Sequence, residues 1–124
     1  MFMEQKRTLS LLVDNTPGLL SRVAGLFSRR GYNIETITAG VTADPRYTRM
    51  TVVLYCSDEM ILEQIKKQLA KLVDVRDIKE LKPDESVRRE LMLVKIRVNE
   101  NERRNVIAIS DVFRGRIVDV GQES

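Results

Sequence analysis

The segment DNTPGLL, residues 14–20, contains the residues best suited to bind a small ligand. It lies between a predicted strand and a predicted helix, where the first helical amides lack intrahelical partners and the helix dipole is positive. Gly18 allows a ligand to approach the backbone closely. The segment therefore predicts a site for a carboxylate or a phosphate, and a small amino acid would suit it. In the alternative interpretation, Asn15 and Thr16 only cap the helix and Gly18 contacts no ligand.

A second candidate is RRGYNIE, residues 29–35. Gly31 is a typical helix terminator, and Asn33 tolerates turns. Both features favour a structural role, although Asn33 and Ile34 also open the second predicted strand beside the first predicted helix. Spacing alone therefore predicts a boundary between elements here rather than a binding site.

The composition excludes most catalytic chemistry. The 124 residues include no histidine, no tryptophan and a single cysteine, Cys56, so His-based triads, His-containing metal sites, CxxC pairs and intramolecular disulfides are absent. Without a histidine to activate it, Cys56 is interpreted as a small buried apolar residue. Glu35 and Asp44 have no evident acid–base companion and are assigned to the solvated surface. The sequence therefore predicts no catalytic residue and no metal ligand.

The charge balance gives little support to a nucleic-acid partner. The 21 lysines and arginines exceed the 18 acidic residues by only three. Four arginines near the C-terminus are interspersed with glutamates and are interpreted as a solvated surface: Arg88, Arg89, Arg103 and Arg104. No apolar run reaches the length of a membrane helix, and the N-terminus lacks the apolar core of a signal peptide. We expect a cytoplasmic protein with no nucleic-acid or membrane partner.

Periodicity predicts the elements that position the DNTPGLL segment. Alternation over residues 8–13 predicts a strand, and helical spacing after Pro17 predicts a helix capped by Asn15 or Thr16, with Pro17 in its first position. Strands are predicted at residues 33–41, 48–55 and 73–81, with a turn at 43–46 and a helix capped by Ser57 or Asp58. The order βαββαβ indicates an α+β, ferredoxin-like fold: a four-stranded antiparallel sheet with both helices on one face.

The rest of the chain predicts a second, incomplete unit. Residues 82–90 are interpreted as a linker that follows a domain at residues 6–81, and residues 91–124 as a partial ferredoxin-like βαβ. Strands are expected at residues 91–98 and 116–120 around a helix. FSRRGYNI and FRGRIVDV place similar residues at helix ends before strands. Half of such a fold leaves open strand edges, so we expect a truncated domain with partial disorder after Pro83.

Several motifs in order carry a family resemblance. KRTLSLLVDNTPGLLSRVAGLFSRRGYNIETITAG, TRMTVVL, EQIKKQLAKLVDV, RRELMLVKI and FRGRIVDV together resemble the small regulatory subunits of acetolactate synthase (acetohydroxyacid synthase). The N-terminal half of that family is an ACT domain. The resemblance extends over residues 6–120, and the consecutive motifs make it more specific than any one alone.

The resemblance implies a non-catalytic subunit that stimulates a large catalytic subunit in branched-chain amino acid biosynthesis. It implies feedback inhibition by a branched-chain amino acid, first of all valine, bound where two ACT domains pair in a homodimer or a higher oligomer. The implied ligand residues are Asn15, Thr16, Pro17, Gly18, Leu19 and Leu20, with Asn33 and Ile34 of the neighbouring chain. No cofactor is expected in this chain; thiamine diphosphate, Mg²⁺ and FAD are implied only in the catalytic partner. An ACT module that senses amino acids for another enzyme is the first alternative, and an RNA-binding ferredoxin-like module is the second.

Overall fold

The computed structural model describes residues 5–124, which form two compact units, one ending at Arg88 and one extending from Arg89 to Ser124. The elements of the first unit are β1 (Gln5–Asp14), α1 (Leu19–Arg29), β2 (Ile34–Val41), β3 (Tyr47–Cys56), α2 (Glu59–Ala70) and β4 (Val75–Glu80). The helix of the second unit is α3 (Glu100–Val112).

The four strands form one sheet in the order β2-β3-β1-β4, and each neighbouring pair is antiparallel. This arrangement confirms the predicted ferredoxin-like fold. β1 is a central strand, and alternate residues enter the core: Leu9 lies opposite Val52 and Leu11 lies opposite Met50. The buried residues of α1 and α2 join these side chains in a single core cluster, so both helices cover the same face of the sheet. This strand order determines which connecting loops lie next to one another at each edge of the sheet.

The end of α1 and the start of α2 follow the sequence signals. Gly31 has a left-handed φ of +68°, its amide donates to the carbonyl of Ser28, and the amide of Tyr32 donates to the carbonyl of Phe27. These paired bonds are a Schellman motif, and they confirm Gly31 as the terminator. Asp58 caps α2, because its carboxylate accepts a hydrogen bond from the amide of Ile61 at 2.9 Å.

The start of α1 differs from the prediction. The N-cap is Gly18, no side chain caps the helix, and Pro17 precedes it rather than occupying its first turn. The predicted caps Asn15 and Thr16 are wrong, because their side chains bind elsewhere. Asn15 donates to the carbonyl of Pro45 at 3.1 Å, and Thr16 donates to the carboxylate of Asp74 at 3.2 Å. Asn15 and Thr16 therefore bond residues distant in sequence instead of capping α1.

The second unit forms the predicted helix but not the predicted strands. α3 begins with a capping box, in which Asn99 and Glu102 exchange hydrogen bonds between side chain and backbone. Residues 91–98 and 116–120 form no strand, and a single backbone bond, from Val98 to Glu123 at 2.9 Å, joins the two ends of the unit. Alternating apolar residues form a strand only beside a partner that accepts their backbone bonds. In residues 5–124, no helix is long and apolar enough to cross a membrane.

Candidate functional site

Residues 15–18, here called the β1–α1 loop, connect the central strand to α1. The amide of Asn15 donates to the carbonyl of Arg46 at 2.8 Å, and its side-chain amide donates to Pro45. Both acceptors lie in the turn between β2 and β3. The amide of Thr16 donates to the carbonyl of Asp14 at 2.9 Å. One side of the loop is therefore fixed to the neighbouring turn and to the end of β1.

An ion pair fixes the other side of the loop. Arg22 of α1 donates through Nε to Asp74 at 2.8 Å, through Nη1 to the carbonyl of Pro17 at 3.2 Å and through Nη2 to the hydroxyl of Thr16 at 3.1 Å. Thr16 donates in turn to the other carboxylate oxygen of Asp74. We call these four residues the Arg22–Asp74 cluster. It connects the loop both to α1 and to the turn between α2 and β4.

Gly18 has a conformation that few other residues adopt. Its φ is +77° and its ψ is 3°, in the left-handed region. A Cβ at this position would lie 3.2 Å from Nη1 of Arg22, a tight contact. Any side chain at Gly18 therefore strains the backbone and disturbs the Arg22–Asp74 cluster.

The first turn of α1 presents free amide groups. The amide of Leu19 makes only a long hydrogen bond, 3.4 Å, to the carbonyl of Thr16. Within residues 5–124, the amides of Gly18, Leu20 and Ser21 have no acceptor. No acidic side chain occupies this turn, so the positive end of the helix dipole is uncompensated. Free amides therefore lie where the anion site is predicted, and Ser21 adds one donor that the sequence interpretation did not include.

An open groove of about 560 Å³ lies beside these amides. It is lined by Asn15, Thr16, Gly18, Leu19, Leu20, Ser21, Ala24, Ala39, Thr48 and Met50. None of these side chains is charged. The groove therefore combines amide donors at one place with apolar walls, which is the general composition of a site for a small organic ligand.

Five of the predicted ligand residues line the groove, and three do not. Pro17 belongs to the loop but is not part of the lining. Asn33 and Ile34 lie at the opposite end of β2: Ile34 pairs with Leu54, whereas Ala39 of the groove pairs with Met50. Within one chain, Asn33 and Ile34 are thus separated from the loop. Their contribution from a neighbouring chain stays a prediction.

Besides Ser21, the groove walls that sequence reasoning missed are Ala24, Ala39, Thr48 and Met50. Ala24 is one helical turn beyond Leu20, so helical spacing from the loop could have indicated it. Ala39 and Thr48 come from β2 and β3, and their proximity to the loop depends on strand register. No local signal in the sequence specifies that register.

The acidic residues near the loop are paired with arginines. Arg76 donates twice to Asp14, both at 2.8 Å, and this hydrogen bonding lowers the pKa of Asp14. Arg46 lowers the pKa of Asp44 in the same way. Both carboxylates therefore stay ionised and neutralised near pH 7. The free amides of α1, rather than an unpaired side chain, supply the positive potential of the groove.

Outside the groove, Cys56 is buried and Glu35 is paired. Residues 5–124 contain no group of three acidic or cysteine side chains placed to hold a metal ion. Cys56 is buried, and burial raises the pKa of its thiol. Glu35 binds Lys6 at 2.8 Å rather than a second carboxylate. The groove beside the β1–α1 loop is the candidate functional site.

Comparisons with known proteins show the family of this chain. Residues 9–77 match the family model of the AHAS small subunit-like ACT domain, and residues 89–124 match that of the small subunit of acetolactate synthase. A probable acetolactate synthase small subunit of Methanothermobacter thermautotrophicus is 49% identical over 94% of this chain and 69% of its own length. The acetolactate synthase isozyme 3 small subunit of Salmonella typhimurium is 51% identical over 93% of this chain and 70% of its own.

A solved structure shows the same fold over nearly the whole chain. The acetolactate synthase small subunit of Thermotoga maritima superposes with a TM-score of 0.77 at 32% sequence identity. The match covers 96% of this chain and 74% of that one.

Proposed function

Because this chain belongs to the family of acetolactate synthase small subunits, we propose that it regulates a catalytic subunit by binding a branched-chain amino acid at the β1–α1 loop. The effector, valine in the first instance, inhibits a complex whose activity the small subunit otherwise stimulates. Thiamine diphosphate, Mg²⁺ and FAD belong to the catalytic subunit in this proposal. The free amides of Leu20 and Ser21 beside an uncharged groove are the observation that carries it.

Each part of an amino acid has a counterpart in the groove. The effector carboxylate accepts hydrogen bonds from the amides of Gly18, Leu20 and Ser21. The side-chain amide of Asn15 donates to Pro45, and its Oδ1 is without a donor among residues 5–124, so it is an acceptor for the effector ammonium. The aliphatic side chain packs against Ala24 and the other apolar walls.

The uncharged lining favours a zwitterion over a phosphate. A phosphate brings close to two negative charges, and its binding usually involves arginine or lysine. No such residue lines this groove. An amino acid has a carboxylate for the helix N-terminus and an ammonium for an amide oxygen, and it is neutral overall. The uncharged lining therefore supports an amino acid rather than a phosphate as the ligand.

The exposed edge of β2 supports the contribution of a second chain. β2 is an edge strand, and its outer backbone groups have no strand partner among residues 5–124. If two copies pair antiparallel along the whole length of β2, Val41 lies opposite Ile34 of the other copy. That pairing brings Asn33 and Ile34 of one copy toward the groove of the next. Two copies then complete each site, and the effector binds at their junction.

Inhibition requires only a modest coupling energy. An effector that favours one state of the complex by about 1–3 kcal/mol changes its equilibrium about 5–150-fold. In this proposal, the energy comes from ordering of the β1–α1 loops at the junction of two chains. The match of residues 89–124 to the acetolactate synthase family favours this role over an ACT module that serves another enzyme.

The Gly18→Asp variant tests the site. We expect the affinity for valine to fall by about 100-fold or more, because the new carboxylate repels the effector carboxylate and strains a left-handed backbone. Titration calorimetry with valine measures the change, and circular dichroism verifies the fold. Gly25→Asp is the matched control, since Gly25 lies on the same helix with open space around it. Undiminished valine affinity in Gly18→Asp would refute the site.

A second experiment tests the regulatory role. The chain is mixed with an acetolactate synthase catalytic subunit, and the rate is measured with and without valine. We expect stimulation without valine and inhibition with it, both dependent on the concentration of this chain. A catalytic rate that does not respond to the chain would contradict the proposed function.

A further inference from the structure

We propose that Arg22 and Asp74 are positioning residues that set effector affinity without contacting the effector. The inference rests on the proposed function of the β1–α1 loop. It concerns the Arg22–Asp74 cluster, in which an arginine of α1 and an aspartate of the α2–β4 turn together hold Thr16 and Pro17. Neither Arg22 nor Asp74 lines the groove.

The β1–α1 loop depends on this cluster because few interactions within the loop itself fix its conformation. No side chain caps α1, Pro17 has no amide hydrogen, and Gly18 has the conformational freedom of a residue without Cβ. On the side opposite the β2–β3 turn, the hydrogen bonds that fix the loop come from Arg22 and Asp74. Removing either residue leaves the direction of the first amides of α1 less well defined.

The hydroxyl hydrogen of Thr16 is used within the cluster. It donates to Asp74 and accepts from Nη2 of Arg22. A hydroxyl has one hydrogen to donate, so Thr16 has none left for an effector carboxylate. Thr16 thus contributes to the site by holding the loop in place, and it does so through its hydrogen bonds to Arg22 and Asp74.

Asp74 also ties the cluster to the sheet. Its backbone carbonyl accepts a hydrogen bond from the amide of Asp14 at 2.8 Å, where β1 ends. The next residue, Val75, begins β4 and pairs with Val13. The carboxylate of Asp74 is 17% exposed and the Arg22 side chain 45% exposed, so solvent only partly screens the pair. The loop is consequently held by a rigid strand end.

The test compares the full chain with Arg22→Ala, Asp74→Ala and the double variant. We expect the Kd for valine, from titration calorimetry, to rise about tenfold in each single variant, the effect of about one lost charge-assisted hydrogen bond. We expect the double variant to have the same Kd for valine as the single variants, because the two residues act as one unit. Arg29→Ala is the matched control: Arg29 is on the same helix, and within the described part of the chain its guanidinium bonds only the carbonyl of Gly25.

Arg22→Lys separates positioning from charge. Lysine keeps the positive charge but cannot bond Asp74, Thr16 and Pro17 at once with a planar fork. We expect its Kd to remain close to that of Arg22→Ala; full recovery of affinity would overturn the positioning role. Urea midpoints are measured in parallel, because a purely structural role would lower the midpoint and leave the Kd of the folded protein unchanged.

The outcomes distinguish this inference from the function on which it rests. If the wild-type chain binds valine and Arg22→Ala binds it equally well, the inference is overturned and the proposed function stands. If the wild-type chain binds no branched-chain amino acid, the proposed function fails and the inference fails with it. Tenfold weaker binding in the single variants, without further loss in the double variant, supports both.

Discussion

α1 and α3 bury very different amounts of apolar surface, although the sequence predicts both as helices. α1 buries Leu19, Val23, Leu26 and Phe27, and it has no capping side chain. α3 begins with a complete capping box and has no buried residue. Phe27 is 1% exposed, whereas Phe113 at the end of α3 is 81% exposed.

Local signals and burial contribute separately to the stability of a helix. A capping box satisfies the first amides of α3 and is worth about 1 kcal/mol. Burial of four apolar side chains against a sheet contributes several times as much to α1. The first unit is therefore expected to have a cooperative core, and the second unit to depend on local bonds in this chain.

The largest expected effect compares two phenylalanines. Phe27→Ala should lower the free energy of unfolding by about 3–5 kcal/mol, because it leaves a cavity among α1, α2 and the sheet. Phe113→Ala should change it by less than about 0.5 kcal/mol, since its ring is already in solvent. Urea unfolding followed by circular dichroism measures both. Equal losses of unfolding free energy in the two variants would show that Phe113 is buried in solution and would contradict the difference between α1 and α3.

A smaller effect compares the two helix caps. Asp58→Ala should lower the unfolding free energy of the first unit by about 1 kcal/mol, because the amide of Ile61 loses its acceptor. Asn99→Ala should reduce the helicity of α3 and leave the urea transition of the first unit in place. Hydrogen exchange of individual amides distinguishes the local change from the global one. A shifted main transition in Asn99→Ala would mean that the two units unfold together.

The smallest effect is a pH dependence confined to the first unit, which contains Cys56. Burial raises the pKa of this thiol above its value in the unfolded chain. The contribution of Cys56 to stability is therefore complete below the unfolded thiol pKa, about 8.5, and is lost as the pH rises through the folded pKa. Unfolding midpoints between pH 7 and 10 measure it. Cys56→Ala should have a shallower decline over that range, and identical slopes would contradict the prediction.

Sequence patterns predicted the first unit well because each pattern had a partner within the same unit. Alternation in β1 found an antiparallel neighbour on either side, so its apolar face became the core. The same kind of alternation in residues 91–98 found no strand partner, and its side chains remain mostly exposed. Alternation specifies which face of a strand is apolar, but backbone pairing decides whether the strand forms.

The candidate site was predictable where it depends on neighbours in sequence. The strand–loop–helix order and Gly18 placed free amides at the start of α1. The walls at Ala39 and Thr48 were not predictable, because they depend on the register of β2 and β3. Nor were the partners of Thr16, which lie 6 and 58 positions away in the chain.

The sequence by itself determined the element order, the apolar face of each element in the first unit and the loop where amides are left without partners. These properties follow from periodicity and from residue types whose effect is local: glycine at a left-handed turn, aspartate at a cap, branched residues in a strand. Only the tertiary structure decided which side chains hold the loop, how the groove is walled and whether residues 91–98 become a strand. Each of these depends on groups brought together by folding, and their free energy of contact has no counterpart in any short segment of the chain.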